Sequence, residues 1–137
     1  MATIFPIHRF SDADAGLAWL KEALGFVEHG VYRGDDGSIQ HGELRLGNAW
    51  IMIGTEAAGD QDPTSSAGAS RWGRRAGMGF VYLAVDNAAE AFERARRAGA
   101  EVISELEERD YGGREFSLRD PEGNVWSVGE YDPSRAP

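Results

Sequence analysis

The sequence predicts an α+β fold of two βαβββ modules in tandem, and three observations predict it. A helical stretch running from a capping aspartate to a stop glycine occurs twice with equal length, Asp12 to Gly25 and Asp86 to Gly99. Strand-like runs surround each copy in the same order, and the tetrapeptides Gly47-Asn48-Ala49-Trp50 and Gly123-Asn124-Val125-Trp126 lead into the last strand of each. Between the copies lies 55–77, dense in Gly, Ala, Ser, Asp and Pro and without helical or strand period, which reads as a long loop. The 137 residues then divide as one domain, with a first module over 1–54, the loop, a second module over 78–132 and a tail over 133–137. A chain of this length buries roughly 68% of its extended surface, enough for a core without staples.

Taken in order, 4–10 (IFPIHRF) is rich in β-forming residues, and Pro6, which has no N–H, points to an edge or barrel-end position. Asp12 caps a helix over 13–24 in which Leu17, Leu20 and Leu24, with Ala13 and Ala23, recur at helical spacing. A strand over 26–33, a tight turn at Gly34-Asp35-Asp36-Gly37 and a strand over 38–46 follow. In the latter Gly42, Leu44 and Leu46 share one face, and His41, Glu43 and Arg45 the other. Gly47-Asn48 turns the chain into an apolar strand over 49–54. The second module repeats the grammar: a strand over 79–85, Asp86 as cap, a helix over 87–98, Gly99 as stop and a strand over 101–107. A hairpin closes the chain, with strands over 114–119 and 125–131 joined by Asp120-Pro121-Glu122-Gly123-Asn124. There Pro121 presets φ for an early turn position, and Gly123 accepts φ > 0.

Composition excludes several functions. There are no cysteines, hence no disulfide, thiolate metal site or cysteine nucleophile. The formal charge of −9, from 23 acidic and 14 basic residues, repels a phosphate backbone, so nucleic acid is not an expected partner; the surface acids serve either solubility or the steering of a cationic small molecule. No apolar run spans a membrane and no signal sequence stands at the start, so a soluble, cytoplasmic protein is expected. Gly77-x-Gly79 leads into a strand where a dinucleotide fingerprint leaves one. Neither a P-loop nor a nucleophile elbow is present.

The Asp-Pro-Glu-Gly turn before the final strand, the Leu24-Gly25-Phe26 ending of the first helix and the doubled βαβββ order together resemble the glyoxalase/bleomycin-resistance/dioxygenase group, the vicinal oxygen chelate superfamily. The resemblance covers nearly the whole chain. It implies that each sheet curls into a half-barrel, that paired modules enclose a cleft, and that metal-dependent members set His, Gln or Glu on the first and last strands of each module. The matching positions here are Phe5, Ile51 or Met52, Phe80 and Ser127, none a strong metal ligand. The resemblance is therefore to the bleomycin-resistance-like branch that lacks metal ligands: no metal, no cofactor, a small-molecule ligand, a connection with antibiotic resistance, and a homodimer in which modules of two chains are exchanged or apposed.

Alternation places Phe5 and Ile7 on the cleft face, joined by Phe80 and Tyr82 from the second module and by Trp50 or Met52. Such side chains either fill a core or form an aromatic wall that stacks on planar ligands. Ser127 and Arg45 are the polar groups that would orient such a ligand. Trp72, in the long loop beside Arg71, Arg74 and Arg75, reads either as a lid over the ligand or as a patch packed on a partner subunit. Of the histidines, His8 falls on the face opposite Phe5 and is expected packed or at the surface, and His29 is expected in solvent. His41 and Glu43, with Arg45 continuing the row, form either a salt-bridged cross-strand row or an acid-base pair. Two functions follow: metal-independent sequestration of a largely planar, apolar or weakly cationic small molecule, or an enzyme of the lyase, isomerase or dioxygenase kind in which His41 and Glu43 hold a metal in an unorthodox way or act as acid-base residues. A bare interaction domain has no feature in its favour.

Overall fold

The computed structural model describes residues 3–56, 79–110 and 112–135. The expected loop falls outside the described residues from position 57 onward, and with it Trp72, Arg71, Arg74 and Arg75. The chain forms β1 (Ile7–Phe10), α1 (Ala13–Ala23), β2 (Val27–Arg33), β3 (Ile39–Leu46) and β4 (Ala49–Thr55). It continues as β5 (Phe80–Ala84), α2 (Ala88–Arg97), β6 (Glu101–Glu108), β7 (Arg114–Arg119) and β8 (Val125–Gly129). Two four-stranded mixed sheets result, ordered β1-β4-β3-β2 and β5-β8-β7-β6, each with one parallel pair between its first and last strands. The α+β architecture read from the sequence is therefore present in both halves.

Each helix lies on one side of its own sheet. From α1, Leu17 and Leu20 join Phe10, Leu44, Ile51 and Ile53 in one buried cluster, and from α2, Phe92 lies 5.1 Å from the Phe116 ring. Gly16 sits in α1 because Phe10 crosses there: a Cβ would stand 2.7 Å from its ring. Both halves contribute to one buried cluster, α1 packs against α2, and Trp126 of β8 touches Trp19 and Phe26 of the first module. The helix-bearing sides of the sheets are thus used up inside the chain, while the opposite sides stay open. This arrangement decides where a ligand can go.

The β7–β8 turn joins the halves. Asp120, 3% exposed, accepts hydrogen bonds from the Glu122 and Asn124 amides, from Asn124 Nδ2 and from Trp126 Nε1, all within 3.1 Å. Asn124 in turn accepts the Gly79 amide at 2.6 Å and so fixes the entry to β5. Gly123 stands at φ 94°, the value its place in the turn demands. Glu122 reaches across to the first module, where its carboxylate accepts the amides of Ser11 (2.7 Å) and Asp12 (3.0 Å) and the Ser11 hydroxyl, supplementing the Asp12 side-chain cap on α1.

Four expectations need correction. β1 begins at Ile7, not 4, because Pro6 offers only its carbonyl, which accepts from the Met52 amide. The cap of α2 is Asn87, not Asp86: its side chain accepts the Glu90 amide, so α2 has 10 residues against 11 in α1. β8 ends at Gly129, not 131, where the Glu130 side chain turns back to Arg114 and the Ala88 amide. The tetrapeptide echo is also out of phase. Leu44 pairs with Ile51 but Leu118 with Trp126, so Trp126 enters the core while Trp50 faces outward, the result of a one-residue difference in register.

Two tests follow. Removing the Glu122 carboxylate leaves the Ser11 and Asp12 amides without their acceptor, so Glu122→Ala should lower stability by about 1 kcal/mol, the usual value of a lost cap, read as an unchanged slope and lower midpoint in urea. His8 is 4% exposed beside Trp126, its Nδ1 has no partner among the described residues, and burial lowers its pKa against the opposing pull of Asp120. The unfolded chain therefore binds this proton more readily, and the contribution present above pH 6.5 is lost as pH falls below that value. Denaturation between about pH 7 and 5 should show this slope, and His8→Leu should flatten it.

Candidate functional site

The open side of the first sheet is built by strand alternation. Ile7 pairs with Met52, Met52 with Glu43 and Trp50 with Arg45, so these five project together on the side away from α1. Of the two alternatives at the last strand, Ile51 turns into the core at 1% exposure and Met52 faces out. On the second sheet Tyr82 pairs with Ser127, Ser127 with Ser117 and Phe80 with Val125. Ser127 is 8% exposed and its hydroxyl lies 2.9 Å from that of Ser117. Ile7 and Met52 thus share one side of the first sheet, and Tyr82 and Ser127 one side of the second.

Rings run in a row across the first sheet. Phe5 meets Trp50 edge-on at 6.5 Å, Trp50 meets His29 edge-on at 4.9 Å, and His41 stacks under Tyr32 at 6.1 Å. Glu43 stands between the imidazoles, 2.9 Å from His41 Nε2 and 3.9 Å from His29 Nε2. His29 was expected simply in solvent; it is half exposed but engaged on two sides. The β2–β3 register carries that information, since Val27 opposes Arg45 and brings the next outward residue of β2 towards Glu43. Tyr32 was missed for the same reason: a bulge between Tyr32 and Arg33 sets its direction, and sequence alternation does not show it.

Phe5, Trp50 and Tyr82 come together around a cavity of about 240 Å³ at the junction of the halves, backed by Phe26, Ile51 and Trp126. Tyr82 is held by a hydrogen bond from its hydroxyl to the Tyr131 carbonyl at 2.6 Å. Phe80 does not line this cavity; it stands at the edge strand with 72% of its surface exposed, next to Ile7 in kind at 52%. Arg45, Met52 and Ser127 lie outside the cavity on the open sides. A second cavity, about 770 Å³, lies beyond Tyr82, between the β3–β4 turn and α2.

The positions that the resemblance makes metal-ligating are occupied by Phe5, Met52, Phe80 and Ser127. A thioether and a hydroxyl already bonded to Ser117 do not fit a divalent ion there. Among the described residues no group of three or more His, Asp or Glu side chains is arranged to hold one. No described helix is long and apolar enough to cross a membrane. At the end of β8, Glu130 has its pKa lowered to about 2, chiefly by its hydrogen bond from Arg114, and it remains an acceptor fixing the α2 entry, not a proton donor near neutrality.

Several known proteins share this arrangement. An uncharacterised protein of Mycobacterium bovis is 31% identical over 124 residues, covering 87% of this chain and 76% of that protein. Among solved structures, TioX from Micromonospora sp. ML1 superposes with a TM-score of 0.75 at 25% identity over 96% of this chain and 100% of that one. Lactoylglutathione lyase from Agrobacterium tumefaciens superposes with a TM-score of 0.65 at 21% identity, covering 93% and 92%, a likeness of fold. The sequence model of one superfamily matches residues 8–128, nearly the whole described fold, and the chain therefore belongs to the glyoxalase/bleomycin resistance protein/dioxygenase superfamily.

Proposed function

We propose that this protein is a metal-independent binder of a small, largely planar, apolar or weakly cationic molecule, serving to sequester a drug or metabolite. One observation carries the reading: Phe5, Trp50 and Tyr82, from three separate stretches of the chain, line a single cavity backed by Phe26 and Trp126. Flat rings offer large contact area at little cost in side-chain freedom, so they favour a flat ligand. The carboxylate of Glu43, 3.9 Å from the His29 imidazole that meets Trp50 edge-on, adds attraction for a positive charge on such a ligand. Phe80, Ser127 and Arg45 belong to the same site when a second copy covers the open sides.

A homodimer is part of this proposal. Ile4 at 91%, Phe80 at 72% and Ile7 at 52% exposure are apolar surface that one chain leaves in water. Bringing a first sheet against a partner's second sheet joins Trp50 to Phe80 across the gap. Sedimentation at micromolar concentration should give twice the chain mass; a single-chain mass would remove the composite cleft.

The second reading, an enzyme using acid-base chemistry, draws on the 2.9 Å contact of His41 with Glu43. Substitution separates the two. With a panel of planar aromatic amines and neutral heteroaromatics followed by tryptophan fluorescence, Trp50→Phe and Tyr82→Ala should weaken binding by roughly 1–3 kcal/mol, the range of a lost aromatic anchor. His41→Ala should leave affinity nearly unchanged. Unchanged affinity in the aromatic variants, with turnover of any panel member abolished by His41→Ala, would establish the enzyme instead.

A further inference from the structure

The two cavities share a wall. Asn48, Ala49, Tyr82 and Leu83 line both, so the aromatic chamber adjoins the larger, polar cleft that runs along α2 to the end of α1. The polar cleft exists because of a short turn. Where Glu122 of the β7–β8 turn reaches the start of α1, the corresponding β3–β4 turn has only Gly47 and Asn48 between paired residues, and the space before α2 stays open.

Six charged side chains line that cleft, and four of them are already paired. Arg135 stands 3.4 Å from Asp86 and 3.5 Å from Asp132, and Glu130 is held by Arg114 and the Ala88 amide. Glu90 and Arg94 remain. They lie one turn apart on α2, a spacing of about 5–6 Å between Cβ atoms that ordinarily lets such residues pair, yet neither forms an ion pair with the other or with any described residue. Arg94 instead lies over Gly25, its guanidinium carbon 3.2 Å from the point a Cβ would occupy, which holds its charge away from Glu90. One carboxylate and one guanidinium with no ion-pair partner among the described residues thus line the cleft that adjoins the aromatic chamber.

We propose that the joined cavities form one site for an aromatic ring bearing both an ammonium and a carboxylate, the chemistry of an aromatic α-amino acid or a short peptide ending in one. The ring enters among Phe5, Trp50 and Tyr82, the ammonium meets Glu90, and the carboxylate meets Arg94. The inference rests on the small cavity being an aromatic site and adds the polar half. It also accounts for the two opposite charges left in an otherwise neutralised cleft.

Four probes test it on the full chain: indole, tryptophanamide, indole-3-propionate and L-tryptophan, followed by amide shifts of the ¹⁵N-labelled protein. Indole should shift the Ala49 and Leu83 amides. L-tryptophan should also shift those of α2 and bind at least tenfold tighter than indole. Arg94→Gln should bring L-tryptophan down to the level of tryptophanamide without altering tryptophanamide itself. Glu90→Gln should do the same with respect to indole-3-propionate. Both positions are exposed, and an otherwise unchanged spectrum verifies the fold of each variant. Equal binding of indole and L-tryptophan, or variants without effect, overturns the two-part site and leaves the aromatic reading standing. Failure of indole itself to shift the chamber amides overturns both.

Discussion

A single buried carboxylate organises the closing half of the molecule. Asp120 is almost wholly excluded from water and forms no ion pair with a described residue; its carboxylate is met by four donors, two amides, an Asn side chain and the indole N–H of Trp126. Charge-assisted hydrogen bonds of this kind can replace hydration where an isolated carboxylate would be expelled. The consequence spreads outward: fixing Asn124 fixes the start of β5, fixing Trp126 supplies the core ring shared by both halves, and fixing the turn aims Glu122 at the first module. The ligand chamber inherits its back wall from the same Trp126.

Using the helix-bearing sides as the internal interface has a cost. A four-stranded sheet packed on one side only is unfinished, and here each sheet keeps exposed apolar side chains beside polar ones, Ile7 on the first and Phe80 on the second. The same exposure makes the surface useful. Aromatic residues that would be locked in a core remain free to close on a guest or on a second copy, and the row from Phe5 through Trp50 to His29 is already in edge-to-face contact before any guest arrives. Binding then requires little new ordering of those side chains.

Much of this was legible in the chain. Period-two alternation put Phe5, Ile7, Phe80 and Tyr82 on the outward faces, and the capped, glycine-terminated helices fixed the topology, because these depend on local geometry. Register was less legible. The Trp50 and Trp126 echo suggested equivalence, but the closing strands differ by one residue relative to their neighbours, and a single slip exchanges inside for outside. The bulges in β2 hid His29 and Tyr32 in the same way. The cavities could not be read at all. They depend on how far one turn stands from a helix twenty or more residues away in each direction, and residue types do not encode that distance.

The unequal turns have a wider meaning for a molecule made of two similar halves. An internally duplicated chain starts with every contact present twice, and neither copy is free to change without weakening an interface it shares with the other. Here one contact, that of a turn on the opposite helix start, is kept on one side by Glu122 and absent on the other. The retained copy holds the halves in register. Its counterpart is thereby released from structural duty, and a small change in loop length can open or reshape a chamber without disturbing the frame.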